Sequence, residues 1–306
     1  LDIQRLEGII VPMVTPLNDD ETVDYSSLKK LINYIIDGGV QALFTMGTTG
    51  EFARLTWRDR CRIIEMTVAE TQKRVPVIAG ISDSGLLQVL KNLKFAESSG
   101  VDAVAVTPPY YYPTYSDDEI IAFYTEIAAH SALPLILYNI PVTCGSMISI
   151  TALQQIFSRC QNVIGIKDSS GDIRYLTEII NLYRNRPAIR IFLGDESLGL
   201  EGLSAGAHGL VASLANVFPR IFVALYEAVQ AGELPKAALL NTQIKEMNQL
   251  NCYSRSWLSA ITWRKAALAQ MGICREVMTR PYIPVDDSIK QTIAKLVALY
   301  QKNYVA

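Results

Sequence analysis

The sequence predicts a (β/α)8 barrel, and three observations carry that expectation. Eight short apolar, β-rich runs recur between residues 8 and 215. Helix-length segments separate them, at the spacing of about 30 residues that βαβ units need. The first run ends in VTPLNDD, without the glycine fingerprint that a doubly wound open sheet carries after its first strand.

The runs are GIIVPMVTP (8–16), ALFTMG (42–47), VPVIAG (75–80), AVAVTPP (103–109), PLILYN (134–139), VIGIKD (163–168), IRIFLGD (189–195) and GLVASLA (209–215). Their near-continuous apolarity suits strands covered on both faces, as in parallel sheets. Between the first two, Leu28, Leu31, Ile32, Ile35 and Ile36 fall on one 3.6-period face, and Gly38-Gly39 supplies the stop. SDDE (116–119) reads as a capping box, with Ser116 as the cap and Glu119 three residues on. Eight such units in roughly 225 residues match a barrel of this class, whereas an open sheet usually has fewer strands. The eighth helix is expected at about 219–231, which closes a catalytic barrel domain over 1–231. Segments 233–250, 257–272 and 286–304 read as three further helices in a C-terminal extension, 232–306.

Half of the 306 residues are hydrophobic and the formal charge is −2. Dispersed basic residues leave no electrostatic footprint for nucleic acid or an anionic membrane. No apolar run approaches the roughly 20 residues of a membrane helix, and no signal peptide is expected. Five scattered cysteines (61, 144, 160, 252 and 274), without a CxxC, read as reduced thiols of a cytoplasmic protein. His130 and His208 are the only histidines, with no HxH or HExxH pattern, so no metal site is expected. His130 falls in an expected helix and His208 in a GAHG turn, both read as structural.

In such a barrel the chemistry lies where strands end at their carboxyl termini. That rule selects GTTGE (47–51), PPYYYP (108–113), YNIP (138–141), Lys167, GDES (194–197) and Ser213, the last expected within the eighth strand. Lys167 has two readings. It is either an ordinary lysine leaving a strand for solvent, or an amine made nucleophilic by burial and able to form an imine with a ketone. Tyr138 either caps the core with its hydroxyl hydrogen-bonded or passes protons as a general acid/base. GTTGE is a tight turn, or a cradle whose backbone N–H groups and Thr48 and Thr49 hydroxyls hold a carboxylate. Asp195-Glu196 is either an acidic pair favoured by a helix N-terminus or a holder of substrate hydroxyls.

With GTTGE, PPYYYP, YNIP and GIKDSSGD in this order, the chain resembles the dihydrodipicolinate synthase/N-acetylneuraminate lyase family over essentially its whole length. The resemblance implies a pyruvate-dependent class I aldolase that needs no cofactor, commonly a homotetramer built as a dimer of dimers. It makes Lys167 the Schiff-base lysine and Tyr138 the proton relay. Thr48 and Thr49 would hold the pyruvoyl carboxylate, with Thr48 also linking the tyrosines. Tyr111, the middle tyrosine of PPYYYP, matches the residue that family members lend to the neighbouring subunit. Synthases of the family carry an arginine in YNxPxRTG for the second substrate's carboxylate, where this chain has Thr143. Losing a bidentate guanidinium counts against aspartate semialdehyde as partner. Asp195-Glu196 is similar to the acidic pair with which the lyases hold sugar hydroxyls, although lyases usually have a serine where Thr48 stands.

The expected function is therefore cleavage or formation of a C–C bond between pyruvate and an aldehyde, on a 2-keto-3-deoxy sugar acid or N-acetylneuraminate-like substrate. The alternative within the family is dihydrodipicolinate synthesis. A pyridoxal phosphate barrel also needs a lysine, but GDES puts two acids where its phosphate would bind. From another class, a non-catalytic 2-keto acid sensor on the same barrel would need no imine.

Overall fold

The computed structural model describes residues 6–112, 115–253 and 260–304. Its strands are β1 (Gly8–Pro12), β2 (Ala42–Thr45), β3 (Val77–Gly80), β4 (Ala103–Val106), β5 (Leu135–Asn139), β6 (Val163–Asp168), β7 (Arg190–Leu193) and β8 (Gly209–Val211), ordered β1 to β8 in a closed barrel. Helices alternate with them: α1 (Tyr25–Asp37), α2 (Trp57–Thr71), α3 (Leu86–Ser99), α4 (Asp117–His130), α5 (Pro141–Cys144), α6 (Ile150–Arg159), α7 (Ile173–Tyr183), α8 (Gly199–Ala205) and α9 (Pro219–Gln230). After α9 come α10 (Leu234–Asn248), α11 (Ala260–Gln270) and α12 (Asp287–Tyr304). The (β/α)8 expectation holds. Among the described residues, no helix is long and apolar enough to cross a membrane.

Most strands are shorter than their apolar runs. In the first run Met13 and Val14 lie beyond β1 yet stay buried. Apolarity reports burial, which continues where the chain has left the ladder for a loop. Helix limits follow local chemistry more closely. Asp24 caps α1 by accepting from the Ser27 N–H at 3.0 Å. Leu28, Leu31, Ile32 and Ile35 are buried on its inner face, while Ile36 is only half-buried at the edge of the stripe.

Before α4, the Ser116 hydroxyl accepts from the Glu119 N–H, and the Glu119 carboxylate accepts from the Ser116 N–H at 2.8 Å. These bonds satisfy two otherwise orphaned donors of the helix end. Ser116→Ala is expected to cost about 1 kcal/mol, read as a lower midpoint of urea unfolding with an unchanged slope.

The contacts group the chain into two compact units. The first holds residues 76–211 with Leu6 and Glu7, and contains parallel pairings from β3 through β8. Val104, Leu135, Leu137, Ile166 and Ile191 lie in its core at 0 or 1% exposure. The second holds residues 8–75 and the described part of 212–306, with β1 paired to β2. Ile9, Leu28, Leu43, Phe218, Phe222 and Trp263 fill its interior.

One irregularity in the first unit sets the register of the site. Leu135 pairs with Val163 but Ile136 pairs with Gly165, so β6 carries one extra residue against β5. A bulge of this kind re-aims every side chain that follows it. Here it brings Lys167 opposite Tyr138 and Asp168 opposite Asn139. Gly165 is required there, because a Cβ would lie 2.3 Å from the Arg190 carbonyl oxygen.

Candidate active site

Lys167 and Tyr138 are direct register partners, so their side chains leave the sheet on the same face. Both are buried, at 5% and 3% exposure, which removes the reading of Lys167 as a lysine leaving for solvent. Lys167 Nζ lies 3.7 Å from the centre of the Tyr138 ring. Room for the lysine stem comes from Gly194, just after β7. A Cβ on that residue would lie 3.0 Å from Lys167 Cε, 3.1 Å from the Asp168 carbonyl oxygen and 2.0 Å from Ser169 Oγ. Gly194 stands in the GDES motif, but its need shows only when β6 and β7 lie side by side.

The next residues of both strands face the opposite way and brace the pair from behind. Asn139 Nδ2 donates to Asp168 Oδ1 at 2.7 Å, while Asn139 Oδ1 accepts from the Ile148 N–H at 3.0 Å. Asp168 also accepts from the Ser170 N–H and hydroxyl. Burial pushes the Asp168 carboxyl above its ordinary range, and the Asn139 and Ser170 donors oppose that shift. The Tyr175 hydroxyl on α7 donates to the Ile148 carbonyl at 2.5 Å, so this bracing face is the helix side of the sheet. By the alternation of a strand, Lys167 and Tyr138 point to the barrel interior. Asn139, Asp168 and Tyr175 were not singled out from the sequence, although the first two belong to the YN and KD pairs that mark the strand ends.

Thr143 lies in the single turn of α5, where its hydroxyl donates to the Ile140 carbonyl at 3.2 Å. Beside it the buried Cys144 thiol is pushed up by desolvation. Asp195 caps the 3-10 turn Glu196–Leu198, accepting from the Ser197 N–H at 3.0 Å and its hydroxyl at 2.7 Å. These bonds lie within its own turn, and Glu196 is buried next to it. Tyr111 is 79% exposed with φ at +85°, its ring edge-on to Tyr112 at 5.0 Å. Pro113, which completes the PPYYYP run, lies outside the described residues.

In the second unit GTTGE forms a 3-10 turn over Thr48–Gly50 directly after β2. Thr49 is buried and Thr48 half-buried. The Thr15 hydroxyl donates to the Gly50 carbonyl at 2.7 Å. A Cβ on Gly50 would lie 3.1 Å from the Met13 carbonyl oxygen, so the turn packs closely on the segment that follows β1. Ser213 requires a correction. It does not lie within the eighth strand, because β8 stops at Val211 and Ser213 opens the 3-10 turn Leu214–Asn216. The cause is Asn216, whose amide donates to the Pro12 and Ser213 carbonyls while its oxygen accepts from the Val14 N–H. Those bonds hold the chain in a turn just beyond the end of β8.

The histidines have local duties. His208 Nδ1 accepts from the Ile191 N–H at 3.1 Å, and burial lowers its pKa. Among the described residues, no group of three or more His, Cys, Asp or Glu side chains is arranged to hold a metal ion.

Comparison with known proteins agrees with this fold. The chain matches the dihydrodipicolinate synthetase family over residues 5–299. The 4-hydroxy-tetrahydrodipicolinate synthase of Chloroherpeton thalassium is 30% identical over 297 residues, covering 97% of this chain and 96% of that one. The synthase of the same name from Parabacteroides distasonis is 30% identical over 281 residues, 92% of each chain. Among solved structures, the dihydrodipicolinate synthase of Bacteroides thetaiotaomicron superposes with a TM-score of 0.91 at 32% identity, covering 96% of this chain and 98% of that one. By this match the barrel falls in a class of pyruvate-dependent lyases. The chain belongs to the dihydrodipicolinate synthetase family.

Proposed function

We propose that this chain is a class I aldolase that makes or breaks a C–C bond to pyruvate through an imine on Lys167. The observation that carries the reading is the buried Lys167 amine seated 3.7 Å over the Tyr138 ring. A lysine placed there by a bulge and given room by a glycine is arranged for chemistry, since neither device is needed for a surface residue.

In the cleavage direction the amine adds to the C2 carbonyl of the 2-keto acid, and water leaves as the imine forms. The C4 hydroxyl then gives up its proton, the C3–C4 bond breaks, and the electron pair passes to the protonated imine nitrogen. An aldehyde departs and an enamine remains. Protonation at C3 and hydrolysis of the imine return pyruvate and the free amine. Tyr138 moves protons at the imine and at the bond-breaking step. Thr48 and Thr49 hold the carboxylate through hydroxyl and backbone donors. Tyr111, exposed at a positive φ, serves the relay of a neighbouring subunit in a tetramer built as a dimer of dimers.

For the second reactant we favour a 2-keto-3-deoxy sugar acid or an N-acetylneuraminate-like compound. Thr143 offers a short hydroxyl that already donates to the Ile140 carbonyl, which cannot replace a bidentate guanidinium on a carboxylate. Asp195, Glu196 and Ser213, with Thr143, are the candidates for substrate hydroxyls. The second reading, condensation of pyruvate with aspartate semialdehyde, is favoured by the names of the relatives in Chloroherpeton thalassium and Parabacteroides distasonis.

Borohydride reduction with pyruvate, followed by peptide mass analysis, is expected to place the added mass on Lys167. No added mass would overturn the aldolase, and trapping without turnover of any aldehyde would favour a sensor. A panel of 2-keto-3-deoxy acids and N-acetylneuraminate, assayed for pyruvate release, separates the substrates. Activity confined to aspartate semialdehyde would overturn the reading of Thr143. Tyr138→Phe keeps the ring beneath the amine and removes only the hydroxyl. Its kcat is expected to fall about 10²–10⁴-fold, as for loss of a general acid/base, with the imine still trapped at high pyruvate.

A further inference from the structure

The turn that carries Thr48 and Thr49 ends on Glu51, whose backbone lies in the left-handed region at φ +58°. A glycine would make that turn without strain, so a glutamate held there points to a use for its side chain. The side chain is buried and fully engaged. Glu51 Oε1 accepts from Lys265 Nζ at 2.7 Å, and Oε2 accepts from the Thr279 N–H at 2.9 Å and its hydroxyl at 2.6 Å. Lys265, on α11, has 0% exposure and also donates to the Val277 carbonyl at 2.7 Å. Arg54, three residues after Glu51, donates to the Thr279 carbonyl at 3.2 Å and lies 4.1 Å over the Tyr282 ring.

A buried ion pair is a poor way to gain stability, because well-packed apolar residues of equal volume do as well or better. What it supplies is placement, since any displacement leaves a buried charge without its partner. The turn is held on its other side by Thr15 on Gly50, so Thr48 and Thr49 sit between two fixed points.

We propose that Glu51 and Lys265 are positioning residues, which together with Thr279 set the carboxylate-holding turn from the segment that follows α10. The proposal rests on the reading of Thr48 and Thr49 as the carboxylate holders. It gives the C-terminal helices a direct part in substrate affinity.

The test uses the full chain and borohydride trapping at graded concentrations of pyruvate, and of acetone as a ketone without a carboxylate. Lys265→Met keeps the unbranched stem and Glu51→Gln keeps the shape, while Thr279→Val removes one hydroxyl and leaves the ion pair. For the first two, half-saturating pyruvate is expected to rise about 10-fold, and for Thr279→Val about 3-fold, with limiting trapping within about 2-fold of the parent. Acetone trapping is expected to stay unchanged in all three. Unchanged half-saturation by pyruvate, or an equal loss with acetone, would overturn the proposal. If Lys265→Met and Glu51→Gln fail to fold, Thr279→Val alone decides it by the same two readouts. Failure of the parent chain to trap pyruvate is a different result, which removes the imine reading itself.

Discussion

Replacing Lys167 with methionine is expected to abolish borohydride trapping of pyruvate and to lower pyruvate release by at least about 10³–10⁴-fold, because imine formation needs a primary amine and a thioether cannot supply it. Methionine keeps an unbranched stem of similar length, so it fits the space left by Gly194 and packs over the Tyr138 ring. The melting temperature is expected to hold or rise, since the change removes an amine from a position of 5% exposure and leaves an apolar chain. A fall in activity with stability intact separates a chemical role from a packing role. Trapping that persists on another lysine would sink the assignment.

The second large effect is expected from Gly194→Ala. Three neighbours meet the new methyl group, and they differ in how easily they yield. Ser169 Oγ, 2.0 Å from the Cβ position, can turn away about its own χ1. The Asp168 carbonyl at 3.1 Å is backbone, tied by the Gly194 N–H at 2.6 Å. Lys167 Cε at 3.0 Å is held between the methyl group and the Tyr138 ring, so the amine moves by several tenths of an ångström. Overpacking of this kind costs about 1–3 kcal/mol of stability. Misplacement of a reacting group toward 1 Å costs on the order of 10²-fold in rate. The expected result is a lower melting temperature together with a roughly 10²-fold slower single-turnover imine formation. Adding Ser169→Gly removes the shortest contact, so it is expected to restore much of the stability but little of the rate. Recovery of both together would mean that Gly194 serves packing alone.

Much of this was legible in the sequence, for a physical reason that differs between elements. Caps act over three or four residues, so Ser116-Glu119 could be read directly. Lys167 could be placed at the end of β6 because VIGIKD is a strand in full. Ser213 could not, because the end of β8 is decided by Asn216 reaching Pro12 across 204 residues. Glu51 stood inside a quoted motif without a role, because its partner Lys265 lies 214 residues away.

By itself the sequence determined the barrel rhythm, the carboxyl-end positions of the candidate residues and the family, since strand and helix periodicities and short motifs are local properties of the chain. The tertiary structure decided what Lys167 faces. A regular ladder counted from Leu135 and Val163 would set Ile166 opposite Tyr138, and only the extra residue in β6 brings the lysine there. Within the same strand, Gly165 meets the Arg190 carbonyl of β7 with no space for a side chain. Register between neighbouring strands is a property of their packing, and no pattern within VIGIKD contains it.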